Sequence, residues 1–176
     1  MSRIVTNLKR MIKVTPTMTA SNNADNDVAF DWTLVPDAFL DVGVGATLQS
    51  VGILNGYDAA DVIELVFCRG GDDDGTAPTA AQGLVDGATT GGAAVDITQP
   101  ETQAIEICGN VNIVAGDYTE GDLVTATIAQ KNNIGMLLAP RKNSKSLYIG
   151  GIWRHDPADM SSLATGLMDI YLGFKY

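Results

Sequence analysis

The last ten residues, "LMDIYLGFKY" (Leu167 to Tyr176), place apolar Met168, Ile170, Leu172, Phe174 and Tyr176 at every second position, with Asp169, Tyr171, Gly173 and Lys175 between them. Successive side chains of a pleated strand point to opposite faces, so this strict period of two reads as a strand with one buried face. Upstream, "SLYIGGIW" (146–153), "IGMLLA" (134–139) and "LVTATIAQ" (123–130) read as three more strands from their branched and apolar content. Further back, "VAFDWTLV" (28–35) and "MIKVTPT" (11–17) are extended segments separated by "SNNADND", whose side chains compete for backbone hydrogen bonds and favour a turn. "GATLQSVGIL" (45–54) and "DVIELVFC" (61–68) flank "NGYDAA", and the Asn55-Gly56 pair reads as the tight turn of a hairpin. "AVDIT", "AIEICG" and "VNIV" are short and ambiguous.

A chain of 176 residues with 45% apolar and 18% charged residues and 19 glycines suits one turn-rich domain with a single core. With about eight to ten short strands and no convincing long helix, the expected architecture is all-β: an antiparallel β-sandwich, jelly-roll-like. Residues 11–176 form the expected domain, and residues 1–10 an extended N-terminal arm. Gly70 to Gly92, "GGDDDGTAPTAAQGLVDGATTGG", reads as a long surface loop with at most one helical turn near 80–85.

The formal net charge of -10 gives a surface that repels phosphate, which argues against nucleic acid as a partner. No stretch approaches the roughly 20 apolar residues of a membrane span, and the basic start lacks the apolar core of a secretion signal. Charge is segregated along the chain: residues 25–122 hold 18 acids and the single base Arg69, while 1–24 and 123–155 hold bases and no acid. Two readings stand: solvated loops whose charges fall this way by chance, or basic and acidic surfaces that meet between copies or across a partner.

Reactive chemistry is sparse. His155 is the one histidine, and its neighbour Asp156 sits in a Pro-containing turn, where adjacency supplies neither the geometry of a catalytic pair nor a nucleophile. No nucleophile elbow, zinc-protease helix or phosphate loop occurs, so no enzyme, cofactor or catalytic residue is expected. The three consecutive aspartates of "GGDDDGT" lack the alternate spacing of a calcium loop, and no metal site is expected. Cys68 and Cys108 each follow apolar residues and read as buried thiols, with a disulfide as the alternative. Trp32 and Trp153 lie within strand patterns and read as core.

The ordered segments "IKVTPT", "DNDVAFDWTLVPDAF", "GATLQSVGILNGYDAADVIELVF", "NIVAGDYTEGDLVTATIAQKNNIGMLLAP", "SLYIGGIWR" and "LMDIYLGF" resemble small head proteins of tailed bacteriophages, the capsid decoration or cement proteins, over residues 10–176. The resemblance implies a non-enzymatic jelly-roll subunit, often a homotrimer. It would be assembled in the bacterial host cytoplasm, bind the outer surface of the major capsid protein lattice and stabilise the head. Such a clamp needs shape and complementary charge but no nucleophile. The expected capsid or subunit contacts are Arg3, Ile4, Val5, Leu8, Lys9, Arg10 and Lys13 at the start, with Arg141, Lys142 and Lys145 later. The alternative is a carbohydrate-binding β-sandwich module on a phage tail or fibre, stacking sugars on Trp32, Tyr57, Tyr118 or Trp153 if they are exposed.

Overall fold

In the computed structural model the alternating C-terminal segment lies between two other strands, its apolar face turned into the core. The structure describes residues 8–18, 25–56, 62–84, 95, 104–119, 126–154 and 168–176. Among the described residues nine strands follow one another: β1 (Lys9–Val14), β2 (Val28–Leu34), β3 (Ala46–Asn55), β4 (Ile63–Cys68), β5 (Ile107–Ile113), β6 (Tyr118–Thr119), β7 (Thr127–Leu138), β8 (Tyr148–Trp153) and β9 (Met168–Lys175). Two antiparallel sheets result, one in the order β1-β9-β3-β7-β6 and the other β2-β8-β4-β5.

Leaving aside the two-residue β6, the first strand pairs with the last, the second with the next to last, the third with β7, and β4 with β5. This is the pairing of one long hairpin. The additional pairs β3–β9 and β4–β8 roll that hairpin into two packed sheets. The protein is thus an antiparallel β-sandwich with the strand order of a jelly roll. Its core holds Phe30, Phe39, Phe67, Leu48, Ile53 and Trp153 together with the inward residues Met168, Ile170, Leu172 and Phe174 of β9.

Several local expectations change. β3 and β4 are not a hairpin, because they belong to different sheets. An Asn-Gly pair favours a change of direction but does not decide whether the chain returns beside itself or crosses to the opposite sheet. "LVTATIAQ" and "IGMLLA" contribute to one continuous strand, β7, broken in register rather than by a loop. Asn133 (φ 58°) and Gly135 (φ 68°) take left-handed conformations there and absorb the extra residues as a bulge. Part of the expected arm is also strand: Lys9 and Arg10 open β1, opposite Lys175 and Phe174. Backbone pairing with β9 starts the strand two residues before the Met11 start read from the sequence.

The segment after β4 is a second layer rather than a solvated loop, as far as it is described. Leu84 and Ile105 are fully buried on the outer side of the four-stranded sheet, where Ile105 forms a small cluster with Cys68 and Tyr148 against which Trp32 packs. A 3-10 turn at Ala80–Gln82 leads in, with Trp32 Nε1 donating to the Gln82 carbonyl (2.8 Å) and the Leu84 amide donating to Asp31 Oδ1 (2.9 Å). Consecutive glycines in β8 make both layers fit. A Cβ on Gly150 would meet Leu84 and Trp32, and one on Gly151 would enter the Phe30 ring.

Candidate interaction surface

The contact residues expected from sequence fall into three groups, apart from Lys9, which opens β1 opposite Lys175. Arg3, Ile4 and Val5 lie outside the described residues, as do His155 and Tyr57. Lys13 and Arg141 are held within the subunit. Leu8, Arg10, Lys142 and Lys145 are gathered around one turn-rich segment, residues 36–45, between β2 and β3.

That gathering is built from specific bonds. Tyr176 donates its amide to the Leu8 carbonyl (3.0 Å) and its hydroxyl to the Ala38 carbonyl (2.9 Å). Arg10 donates to the Asp37 carbonyl (3.0 Å) and pairs with its carboxylate (3.2 Å). Lys145 Nζ donates to the Leu40 carbonyl (3.2 Å), and the Gly43 amide to the Ser144 carbonyl (3.1 Å), with Gly43 packed against the Lys142 backbone. The segment turns tightly: the Val42 amide donates to Asp41 Oδ1 (2.8 Å), and Gly43 supplies a φ of 69°. The result is a fixed turn that holds apolar side chains outward, with Leu40 at 44%, Val42 at 47% and Val44 at 52% exposure. Sequence reasoning passed over this surface. Its signal was there in "FLDVGVG", where apolar residues alternate with Asp and Gly, but alternation alone cannot tell a paired strand from an unpaired turn.

Arg141 is corrected from a surface contact to an internal bolt. Only 8% of its side chain is exposed, and its guanidinium pairs with Asp73 (2.8 Å) and Glu106 (3.6 Å) and donates to the Ala104 carbonyl. Lys13 pairs with Asp169 on the neighbouring strand (2.8 Å), and Thr15 donates to the same carboxylate (2.6 Å). Burial pushes the Asp169 carboxyl up, but the Lys13 and Thr15 hydrogen bonds outweigh it and hold it below the usual carboxylate range. The same hydrogen bond raises Lys13.

Segregation of charge along the chain is largely resolved inside the subunit. Arg10, Lys13, Arg69, Lys131, Arg141 and Arg154 all meet acids, respectively Asp37, Asp169, Glu106, Asp117, Asp73 and Glu64. Four of the six pairs, all but Lys13–Asp169 and Arg69–Glu106, join a basic segment to the acidic middle, so linear segregation does not require a second molecule. In the aspartate run, Asp72 accepts from the amides of Asp74 and Thr76 (both 3.1 Å), and Asp73 is taken by Arg141.

Both cysteines are free. Cys68 lies in the cluster outside the four-stranded sheet, whereas Cys108 packs against the main core, its thiol donating to the Phe67 carbonyl. Burial pushes the Cys68 thiol up to about 12 and the Cys108 thiol up to about 11. Trp153 is fully buried, and Trp32 and Tyr118 are partly buried against apolar clusters, so none of these three stands as an open platform for a sugar.

These features define a jelly-roll domain with a fixed turn that exposes Leu40, Val42 and Val44 beside Lys142 and Lys145. No protein-family model matches the chain, and no curated protein matches it. Among solved structures, a chain from the crystal structure of tomato aspermy virus is similar over 96% of this chain and 76% of that one, at 12% identity and a TM-score of 0.35.

Proposed function

We propose that the chain is a non-enzymatic structural protein of a virion: a capsid decoration or cement protein of a tailed bacteriophage that binds the outer surface of the major capsid protein lattice and stabilises the head. The observation that carries this reading is the 36–45 turn, where Leu40, Val42 and Val44 are held exposed by hydrogen bonds from within the subunit. A clamp gains most from a surface already in its bound shape, because little conformational entropy is then lost on binding. Burying half-exposed Leu and Val side chains contributes about 1 kcal/mol each, so the three supply roughly a hundredfold in affinity. Lys142 and Lys145 flank them beside the exposed Asp41, with Asp37 paired to Arg10, so the patch carries a slight positive excess that favours an acidic lattice. Attachment to the lattice stabilises whichever capsid state offers the site, by mass action. Assembly in the host cytoplasm and association of the subunit with its own copies as a trimer belong to the same proposal.

The test is add-back. Particles lacking the chain are incubated with the purified protein, and occupancy is read by electron microscopy. Wild-type protein should decorate the outer lattice, and Val42→Asp with Val44→Asp should lose occupancy at unchanged melting temperature. Decoration unaffected by both substitutions would remove the turn from the interface, and failure of wild-type protein to bind any head would overturn the capsid reading.

A further inference from the structure

The two sheets finish their outer faces differently. The four-stranded sheet is covered by Leu84 and Ile105, whereas on the five-stranded sheet Met11 is 63% exposed. Across that open face, β3 slips register between Leu48 and Ser50 against both neighbours. Gln49 is the extra residue against β9, whereas against β7 the extra residues lie on β7, at 133–135. Beside the slip stands Gly173, where an added Cβ would strike the Ser50 hydroxyl. Irregular strand spacing and a missing side chain together open a groove of about 440 Å³, lined by Lys9, Lys175, Gln49, Ser50, Asn132 and Gly173 among others.

The charge in this groove is unbalanced. Lys9 and Lys175 are direct cross-strand partners, so their ammonium groups project from the same face. Like charges placed opposite one another destabilise a sheet. No acidic residue lines the groove, and neither lysine is in an ion pair among the described residues. The neighbouring bases of β1 are treated otherwise: Arg10 is paired with Asp37 and Lys13 with Asp169. The fold neutralises the two bases that follow Lys9 in β1 and leaves this pair facing an open groove.

We propose that the groove is a docking site for an acidic segment of a partner protein, an extended stretch whose carboxylate is shared by Lys9 and Lys175. Gln49 and Asn132 carry amides that both donate and accept, and Ser50 a hydroxyl that does the same, which matches the alternating donors and acceptors of a peptide backbone. Exposed phosphate chains are disfavoured as occupants, because a protein of net charge -10 repels a long polyanion, whereas a short carboxylate segment meets the local field of two lysines. An incoming carboxylate relieves the cross-strand repulsion, so binding strengthens the β1–β9 pairing. The inference does not require the partner to be a capsid protein.

The experiment titrates isotopically labelled full-length protein with a hexaglutamate peptide at low ionic strength, followed by amide chemical shifts. The expected result is saturable shifts confined to the groove lining, Lys9, Gln49, Ser50, Asn132, Gly173 and Lys175 among it, weakened at least tenfold in Lys9→Gln/Lys175→Gln and unchanged in Lys142→Gln. The double variant should also melt no lower than wild type, since it loses a repulsion, which keeps loss of binding separate from loss of fold. Absence of saturable shifts, shifts elsewhere, or binding indifferent to the double variant would each overturn the proposal. Tighter binding of heparin than of hexaglutamate would assign the groove to a sulfated glycan instead. Self-association abolished by the double variant would place a second copy there; both results overturn it as stated. Because no particle is present, the outcome is independent of the capsid add-back.

Discussion

Replacing Arg141 by Ala tests whether this residue holds the second layer onto the sandwich. The guanidinium is 8% exposed, pairs with Asp73 and Glu106, and donates to the Ala104 carbonyl between the 69–84 segment and β5. Truncation leaves these partners unequally affected. Asp73 is 99% exposed and simply regains water, and Glu106 keeps its contact with Arg69 (3.2 Å). Its ion pair with Asp73 is therefore worth at most about 1 kcal/mol. The hydrogen bond to Ala104 from a buried charge is worth roughly 1.5–3 kcal/mol, and the buried methylenes of the stem about 0.5–1 more. A loss of about 3 kcal/mol follows, which for a domain of this size lowers the melting temperature by roughly 10 °C. Asp73→Asn should cost no more than about 1 kcal/mol, a few degrees. Arg141→Lys should recover less than half, since one ammonium cannot replace a planar fork. Thermal and urea unfolding measure all three. Equal shifts for Arg141→Ala and Asp73→Asn would refute the reasoning, because the cost would then lie in the exposed ion pair rather than in the buried donor.

Four further outcomes are expected. Removing residues 168–176 should leave insoluble protein, since β9 is hydrogen-bonded to both β1 and β3 and its loss opens two strand edges and the core; soluble folded protein would contradict this. Gly151→Ala should destabilise by about 1–3 kcal/mol through its clash with Phe30, while Gly116→Ala, which meets no neighbour, should be nearly neutral in the same urea melts. Asp169 titrates below the usual carboxylate range when folded, so its contribution to stability is in place above about pH 4 and lost as pH falls through the folded value; Asp169→Asn should flatten the acid limb of stability against pH. The thiols of Cys68 and Cys108, raised to about 12 and about 11, should resist iodoacetamide at pH 8 in the native protein and react after unfolding, and rapid native labelling would show that one of them is accessible.

The β character of the chain was legible because it depends on local pattern. The alternation of Met168 to Tyr176, the branched content of 146–153 and the glycine-rich turns each state a preference that neighbouring residues suffice to express. The buried Cys68 thiol and the core Trp153 were legible for the same reason, whereas Cys108 and Trp32 are only partly buried. Partnership was not. The Asn55-Gly56 turn reads as a hairpin, yet β3 and β4 belong to different sheets, because strand pairing is decided by the rolling of the whole chain and not by one turn. Arg141 and Lys13 look like free surface bases in sequence, and the structure spends both on acids 68 and 156 residues away, Asp73 and Asp169. The exposed 36–45 turn and the Lys9–Lys175 groove share this origin. Each is a property of residues that covalent order keeps apart, and only closure of the two sheets puts Leu8 beside Tyr176, Lys145 beside Leu40, and one end of the chain opposite the other.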